Sequence, residues 1–223
     1  MTEVPGEQSR YKTRTQIIFE TLREEIMLGE LMPGAELLQD DLAERFEVSR
    51  IPVREALRML AMERLVQLRP HRKALVRKYS TAEVEDIFLI RSLLEPKAAA
   101  MAAQQIRETD LDKLRELLTK MEQLTSPADL VRYLRFNRAF HMTVYRPAGS
   151  PILESLIGHY IDQSSRFIHI FLKATDTFAK AHVEHVEIYK ACQARDPFVL
   201  EQLVLTHVRQ TLAVLNESAF REL

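Results

Sequence analysis

Near the start of the chain Ile17, Ile18, Leu22, Ile26 and Leu28 recur at spacings of three and four, the period of one face of a helix. Gly29 ends that run as a C-terminal cap. The Pro-Gly pair in MPGAEL, residues 32–37, predicts a turn, and DDLAERF, residues 40–46, a short helix with Leu42 and Phe46 inward. After the turn EVS, Ser49 can cap a new helix. Pro52 is tolerated in its first turn, where the missing N–H would be unbonded anyway. This helix runs to about Met62. Val53, Ala56, Leu57 and Leu60 make one stripe along it, and Arg50, Arg54 and Arg58 make a second about 110° around the axis. The following RLVQLRPHRKALVRKY has no helical period. Its two short apolar segments, Leu65 to Leu68 and Ala74 to Val76, flank a basic turn from Pro70 to Lys73 and predict a β-hairpin.

Ser80 and Glu83 have the spacing of a capping box and mark a domain boundary. Beyond them the pattern predicts helices at about 81–105, 109–124, 128–146, 151–174, 178–194 and 197–219. Thr109 before Asp110, Ser126-Pro127, Ser150-Pro151 and Asp196-Pro197 are start signals, each a cap residue followed by an acid or a proline. Pro96 is expected to interrupt and kink the first of these helices. The chain thus divides into a loose arm over residues 1–14 with Arg10, Lys12 and Arg14, a first domain over 15–79, and a helical domain over 80–223.

Composition agrees with a mainly helical protein. Of 223 residues 46% are hydrophobic and 28% charged, with 5 glycines and no tryptophan. The single cysteine, Cys192, has no internal disulfide partner, and the start MTEVPGEQSR lacks the layout of a signal peptide, so the expected location is the cytoplasm. No apolar run approaches the roughly 20 residues that cross a bilayer, which leaves a membrane role unsupported.

The net charge of −1 conceals a reversal of sign. From Glu20 to Glu47 nine acids face two arginines, a balance of −7; from Val48 to Lys78 nine basic residues face Glu55 and Glu63, a balance of +7. A basic face on a neutral chain is the footprint of a phosphate-binding surface. A helix, a short helix, a tight turn and a third helix with outward arginines, closed by a basic hairpin, outline a winged helix-turn-helix. Arg50, Arg54 and Arg58 suit guanine edges in a major groove, Ser49 and the free N–H groups at the helix start suit a phosphate, and His71, Arg72 and Lys73 at the hairpin tip suit the adjacent backbone or minor groove. A solvated arginine face is the competing reading for any one arginine.

Residues 29–66, GELMPGAELLQDDLAERFEVSRIPVREALRMLAMERLV, resemble the DNA-binding domain of the GntR family of bacterial transcription regulators. The resemblance rests on Gly29, Pro33-Gly34, Leu42-Ala43, Val48-Ser49-Arg50, Pro52-Val53-Arg54-Glu55-Ala56-Leu57 and Leu60. Two positions depart from it. Lys73 stands where the wing tip often has glycine, and Asp40 where some members have arginine.

Among seven histidines, His141 lies four residues after Asn137 on one helix face, with His185 in the penultimate helix and His207 in the last. Three imidazoles and an oxygen donor from three helices would suit a divalent ion such as Zn, Ni or Mn. His159, His169 and His182 are alternatives. VEDIFLIRSLLEPKAAAMAA, FNRAFHMTVYRPAGSPIL, HVEHVEIYKACQARDP and LTHVRQTL resemble the FCD ligand-sensing domain of the FadR-type branch of GntR regulators over about residues 80–219. The resemblance implies a metal held by Asn137, His141, His185 and His207, with asparagine where the family usually has aspartate. It also implies a small carboxylate effector received by the metal and by Arg91, with Arg166 a second candidate from its helical position.

The resulting expectation is a regulator, a repressor, that binds palindromic operator DNA as a homodimer and senses an organic acid. Two rivals are a metal-dependent hydrolase built on the three histidines, and a metalloregulator in which the ion is the signal. The hydrolase lacks a general base, since Glu184 and Glu187 beside His185 are expected on other helix faces.

Overall fold

The computed structural model describes residues 12–218 apart from 28, 71, 72, 125, 127, 128 and 175–177, with backbone only at 166, 169–174, 178, 217 and 218. The arm through Arg10, Leu28 of the first stripe, the wing-tip residues His71 and Arg72, Pro127, and the side chains of Arg166 and His169 therefore lie outside the described residues. Two compact units are present. One runs to Ile26 and resumes over Glu30–Lys78, and the other takes in Met27–Gly29 and the chain from Tyr79.

The first unit contains α1 (Arg14–Met27), β1 (Glu36–Leu38), α2 (Gln39–Arg45), α3 (Arg50–Met62), β2 (Val66–Arg69) and β3 (Lys73–Val76). Arg14 opens α1, and Lys12 just before it pairs with Glu20 at 2.5 Å. The α1 stripe buries Ile18, Phe19, Leu22 and Ile26, whereas Ile17 is exposed. Those side chains share the interior with Leu42 and the α3 stripe Val53, Ala56, Leu57 and Leu60. Phe46 caps α2 half-buried, with the Arg45 guanidinium 4.9 Å from its ring.

Three strands pair where the sequence predicts two. The antiparallel order is β1-β3-β2, with Ala74 opposite both Leu37 and Leu68. At 3 residues, β1 is too short to display an alternating pattern. It follows the turn in which Gly34 takes φ 87°, a left-handed backbone conformation that favours glycine.

The second unit is a helical bundle: α4 (Thr81–Ala103), α5 (Glu108–Glu122), α6 (Leu130–Tyr145), a 3₁₀ turn (Arg146–Ala148), α7 (Pro151–Ala174), α8 (Phe178–Ala194) and α9 (Pro197–Ser218). The start signals at Ser80 and Asp196 operate as hydrogen bonds, whereas α6 begins at Leu130 with Asp129, not Ser126, at its N-cap position. Glu83 N–H donates to the Ser80 hydroxyl at 3.3 Å while Ser80 N–H donates to the Glu83 carboxylate at 3.0 Å, closing the capping box. Asp196 accepts from the N–H groups of Phe198 and Val199 at 3.0 and 3.1 Å. The start of α5 differs from expectation, because Arg107 rather than Thr109 is the cap residue and donates its N–H to Asp110 at 3.0 Å. Nor does Pro96 interrupt α4, which is helical through that buried position. Helix α4 packs against α7 and α9, and α5 against α6 and α8. The interior so formed holds Phe88, Phe140, Tyr145, Ile188 and Val204, and also the polar side chains of Arg91, Glu95, His141, Ser164 and His185.

Candidate nucleic-acid interface and metal centre

In the first unit α3 is held by its buried stripe and turns its charged side outward. Arg50, Arg54 and Arg58 have side chains 52, 52 and 56% exposed, so none is committed to the interior. Each has an acidic neighbour: Asp40 pairs with Arg50, and Glu55 lies 3.6 Å from Arg54 and 2.9 Å from Arg58. Exposed pairs of this kind are worth about 0–1 kcal/mol and open readily to a stronger anion. Asp40, which departs from the resemblance, thus loads Arg50 with a carboxylate. Ser49 sits at the N-cap position of α3 with extended backbone, but its hydroxyl makes no capping hydrogen bond. Gln39, Arg54, Arg58, Arg69 and Lys73 line one concavity between helix and hairpin, and Lys73 is tied to Glu36 at 3.0 Å.

The second unit brings three of the four expected metal ligands to one point. His141 from α6, His185 from α8 and His207 from α9 each offer a ring nitrogen within 4.8 Å of the others, and all three are buried. His141 Nε2 lies 3.3 Å from His185 Nε2. Asn137, His141 and His207 line a cavity of about 60 Å³, together with Arg91, Glu184 and Gln210.

Neighbouring groups fix two of the tautomers. Tyr145 donates its hydroxyl hydrogen to Glu95 at 2.8 Å, so its oxygen is left to accept from His141 Nδ1 at 3.3 Å. His207 Nδ1 lies 2.7 Å from the Glu184 carboxylate and donates to it. In both rings a proton sits on Nδ1, which leaves Nε2 as the atom turned to a cation, the usual outer-shell arrangement around a metal-binding histidine. His185 Nδ1 is buried without a hydrogen-bond partner among the described residues. Burial, then the neighbouring imidazoles, holds the pKa of His141 and of His185 well below the ordinary imidazole value, so both are neutral donors.

Arg91 lines the cavity from a buried position. Its Nε donates to Glu95 at 2.5 Å, its Nη1 to the Ser164 hydroxyl at 2.8 Å, and its guanidinium stands 5.0 Å from the Phe88 ring. Sequence reasoning missed Glu95 and Tyr145. The signal was present, since Glu95 follows Arg91 by four residues and Tyr145 follows His141 by four, the spacing of facing side chains on a helix. The expectation for Glu184 is overturned, because its carboxylate reaches across to α9 and meets His207. Of the alternative histidines, His159 and His182 stand outside the three-imidazole cluster.

Residues 86–210 match the FCD domain, and residues 14–76 match the family described as bacterial regulatory proteins, gntR family. The chain is 28% identical over 198 residues to the HTH-type transcriptional regulator McbR of Escherichia coli, covering 88% of this chain and 90% of that protein. It is also 28% identical over 195 residues to the HTH-type transcriptional repressor RspR of Escherichia coli, covering 87% of this chain and 86% of the other. The solved structure of E. coli McbR/YncC superposes with a TM-score of 0.83 at 26% identity, covering 92% of this chain and 98% of that one. A GntR protein from a Rhodococcus shares the fold with a TM-score of 0.79 at 22% identity, over 93% of this chain and 99% of the other.

Proposed function

The chain belongs to the gntR family of bacterial regulatory proteins, in the FadR-type branch that carries an FCD domain, and from that premise we propose a metal-assisted repressor that releases its operator in response to a small carboxylate. Its helix-turn-helix and FCD domains make it a transcription regulator and not an enzyme. In the proposal residues 15–79 bind DNA, through Ser49, Arg50, Arg54, Arg58, His71, Arg72 and Lys73. Residues 80–223 bind the effector and dimerise, and the regulator works in the cytoplasm; among the described residues no helix is long and apolar enough to cross a membrane.

The observation that carries the metal reading is the convergence of three buried imidazoles at the cavity, with the Nε2 atoms of His141 and His185 3.3 Å apart. Two nitrogens bound to one ion at about 2.0–2.1 Å each are separated by a similar distance. His141, His185 and His207 would hold the ion by Nε2, with the Asn137 amide oxygen as a fourth, neutral donor. Such a nitrogen-rich set favours Zn or Ni over Mn. Bound there, the ion would supply positive charge for an effector carboxylate. Arg91, braced by Glu95, would present its remaining N–H groups to the same anion, with Arg166 a second candidate.

A homodimer is supported by Leu89 and Leu93, one turn apart on α4 and 56 and 65% exposed, an apolar strip open to water. Two copies of α3 would then meet two half-sites of a palindrome. Effector binding would weaken operator affinity in proportion to its preference for the DNA-free arrangement of the dimer.

The test measures operator affinity at fixed salt with and without chelator, then across a panel of small organic acids added to metal-loaded protein. Loss of affinity on adding an acid only when metal is present supports the proposal. A chelator effect with no response to any acid favours the metalloregulator. Mass spectrometry of whatever small molecule co-purifies would name the effector directly.

A further inference from the structure

We infer that Ile51 reads the 5-methyl group of a thymine in each operator half-site. The inference rests on α3 being the helix that enters the major groove, where residues of its first turns meet base edges. Ile51 lies in the first turn of α3 and is 64% exposed. At 100° per residue it falls about 60° from Arg54 and about 20° from Arg58, so all three share one outward face.

The chemistry of that face leaves one reading unassigned. Arginine pairs with the two acceptors of guanine, and none of Arg50, Ile51, Arg54, Glu55 and Arg58, on the outer side of the first nine residues of α3, offers the paired donor and acceptor that adenine calls for. Thymine is the base whose major-groove edge carries an apolar group, and Ile51 is the one apolar side chain among these five. Met62 lies near the same azimuth and is 77% exposed, but it ends the helix, three turns away from the groove-entering end. A β-branched side chain on a helix has one dominant rotamer, so Ile51 loses little freedom when a methyl group packs against it. The first turn of α3 carries no acid of its own, which suits its positive end to the phosphates that flank such a thymine once they displace the exposed Asp40 from Arg50.

The experiment selects a preferred site for the full-length chain from a random duplex library. Each thymine of that site is then replaced singly by deoxyuridine, which removes only the methyl group. At one position per half-site the replacement weakens binding of the wild type by about three- to five-fold, the value of one buried methyl. The same replacement leaves binding of Ile51→Ala unchanged, while Ile51→Val retains part of the discrimination. An enriched site without thymine, or one at which deoxyuridine affects wild type and Ile51→Ala alike, overturns the assignment and leaves the groove-reading helix standing. A library that yields no enriched site overturns both.

Discussion

His141 and His185 bring their Nε2 atoms to 3.3 Å of each other although one is carried by α6 and the other by α8. The Tyr145 hydroxyl draws the His141 proton to Nδ1, so the pair is held together either by a proton on His185 Nε2 or by a cation between two lone pairs. The second arrangement predicts that His141→Ala and His185→Ala each lower the metal content of purified protein, and lower affinity at least 10-fold in competition with a chromophoric chelator. Undiminished metal in either variant by elemental analysis removes that residue from the ligand set.

Asn137 lines the cavity on the same helix as His141, one turn earlier. An amide oxygen is a weaker ligand than a carboxylate, which also adds charge that the ion would balance. Asn137→Asp should therefore slow metal loss in a chelator challenge, and shift preference toward oxygen-favouring ions such as Mn. Identical loss rates in the two proteins would place the amide outside the ligand set.

Tyr145 tests the outer shell. Its hydroxyl links Glu95 to His141, and Tyr145→Phe removes the acceptor that holds the His141 proton on Nδ1. Metal affinity should fall about 10–100-fold, the usual cost of losing such a partner. Long-range nitrogen–proton NMR of the metal-free protein provides an independent readout, in which His141 changes from the Nδ1–H to the Nε2–H tautomer. An unaltered tautomer would detach Tyr145 from the relay.

Much of this architecture is legible in the sequence because it is written in local signals. Caps at Ser80 and Asp196 set helix starts, and the period of Val53, Ala56, Leu57 and Leu60 sets which side of α3 faces inward. What escaped depends on distance along the chain. Strand β1 has no pattern of its own and exists through pairing with β3, a partner remote in sequence, where Leu38 faces Lys73, Leu37 faces Ala74 and Glu36 faces Leu75. Helical azimuth turns Glu184 away from the site, but it fixes only where a Cβ points and not how far a three-carbon side chain reaches toward a neighbouring helix. The Glu95 brace of Arg91 lies within α4 at the i, i+4 spacing, whereas its bond to Ser164 depends on how α4 meets α7.

The buried histidines also set a pH dependence. Burial lowers the folded-state pKa of His141 and His185 well below the unfolded value of about 6.5. Between those two values the unfolded chain binds more protons than the folded one, so stability is full above about pH 6.5 and declines as pH falls, by up to about 1.4 kcal/mol per pH unit for each ring. Urea midpoints of chelator-treated protein should drop between pH 7.5 and 5.5, and replacing both rings with glutamine should flatten the slope. A wild-type midpoint constant across that window would mean the rings are not held neutral by burial.

The roles proposed for Arg54 and Lys73 separate reading from anchoring. Both line the concavity between α3 and the hairpin, but Arg54 stands on the outward face of the helix while Lys73 begins β3 and is tied to Glu36. A guanidinium on a guanine edge makes two directed hydrogen bonds, and losing them penalises the cognate base more than the others. Arg54→Ala should accordingly cost about 1–3 kcal/mol on the preferred site and blur selection at one position of each half-site. An ammonium near a phosphate contributes chiefly by releasing a counterion. Lys73→Ala should thus weaken cognate and unrelated duplexes alike and reduce the slope of log affinity against log salt by about one. Fluorescence anisotropy on both duplexes at several salt concentrations distinguishes the two outcomes. If Arg54→Ala instead weakens every duplex equally and lowers the salt slope, its guanidinium binds the backbone, and base reading passes to Arg50 or Arg58.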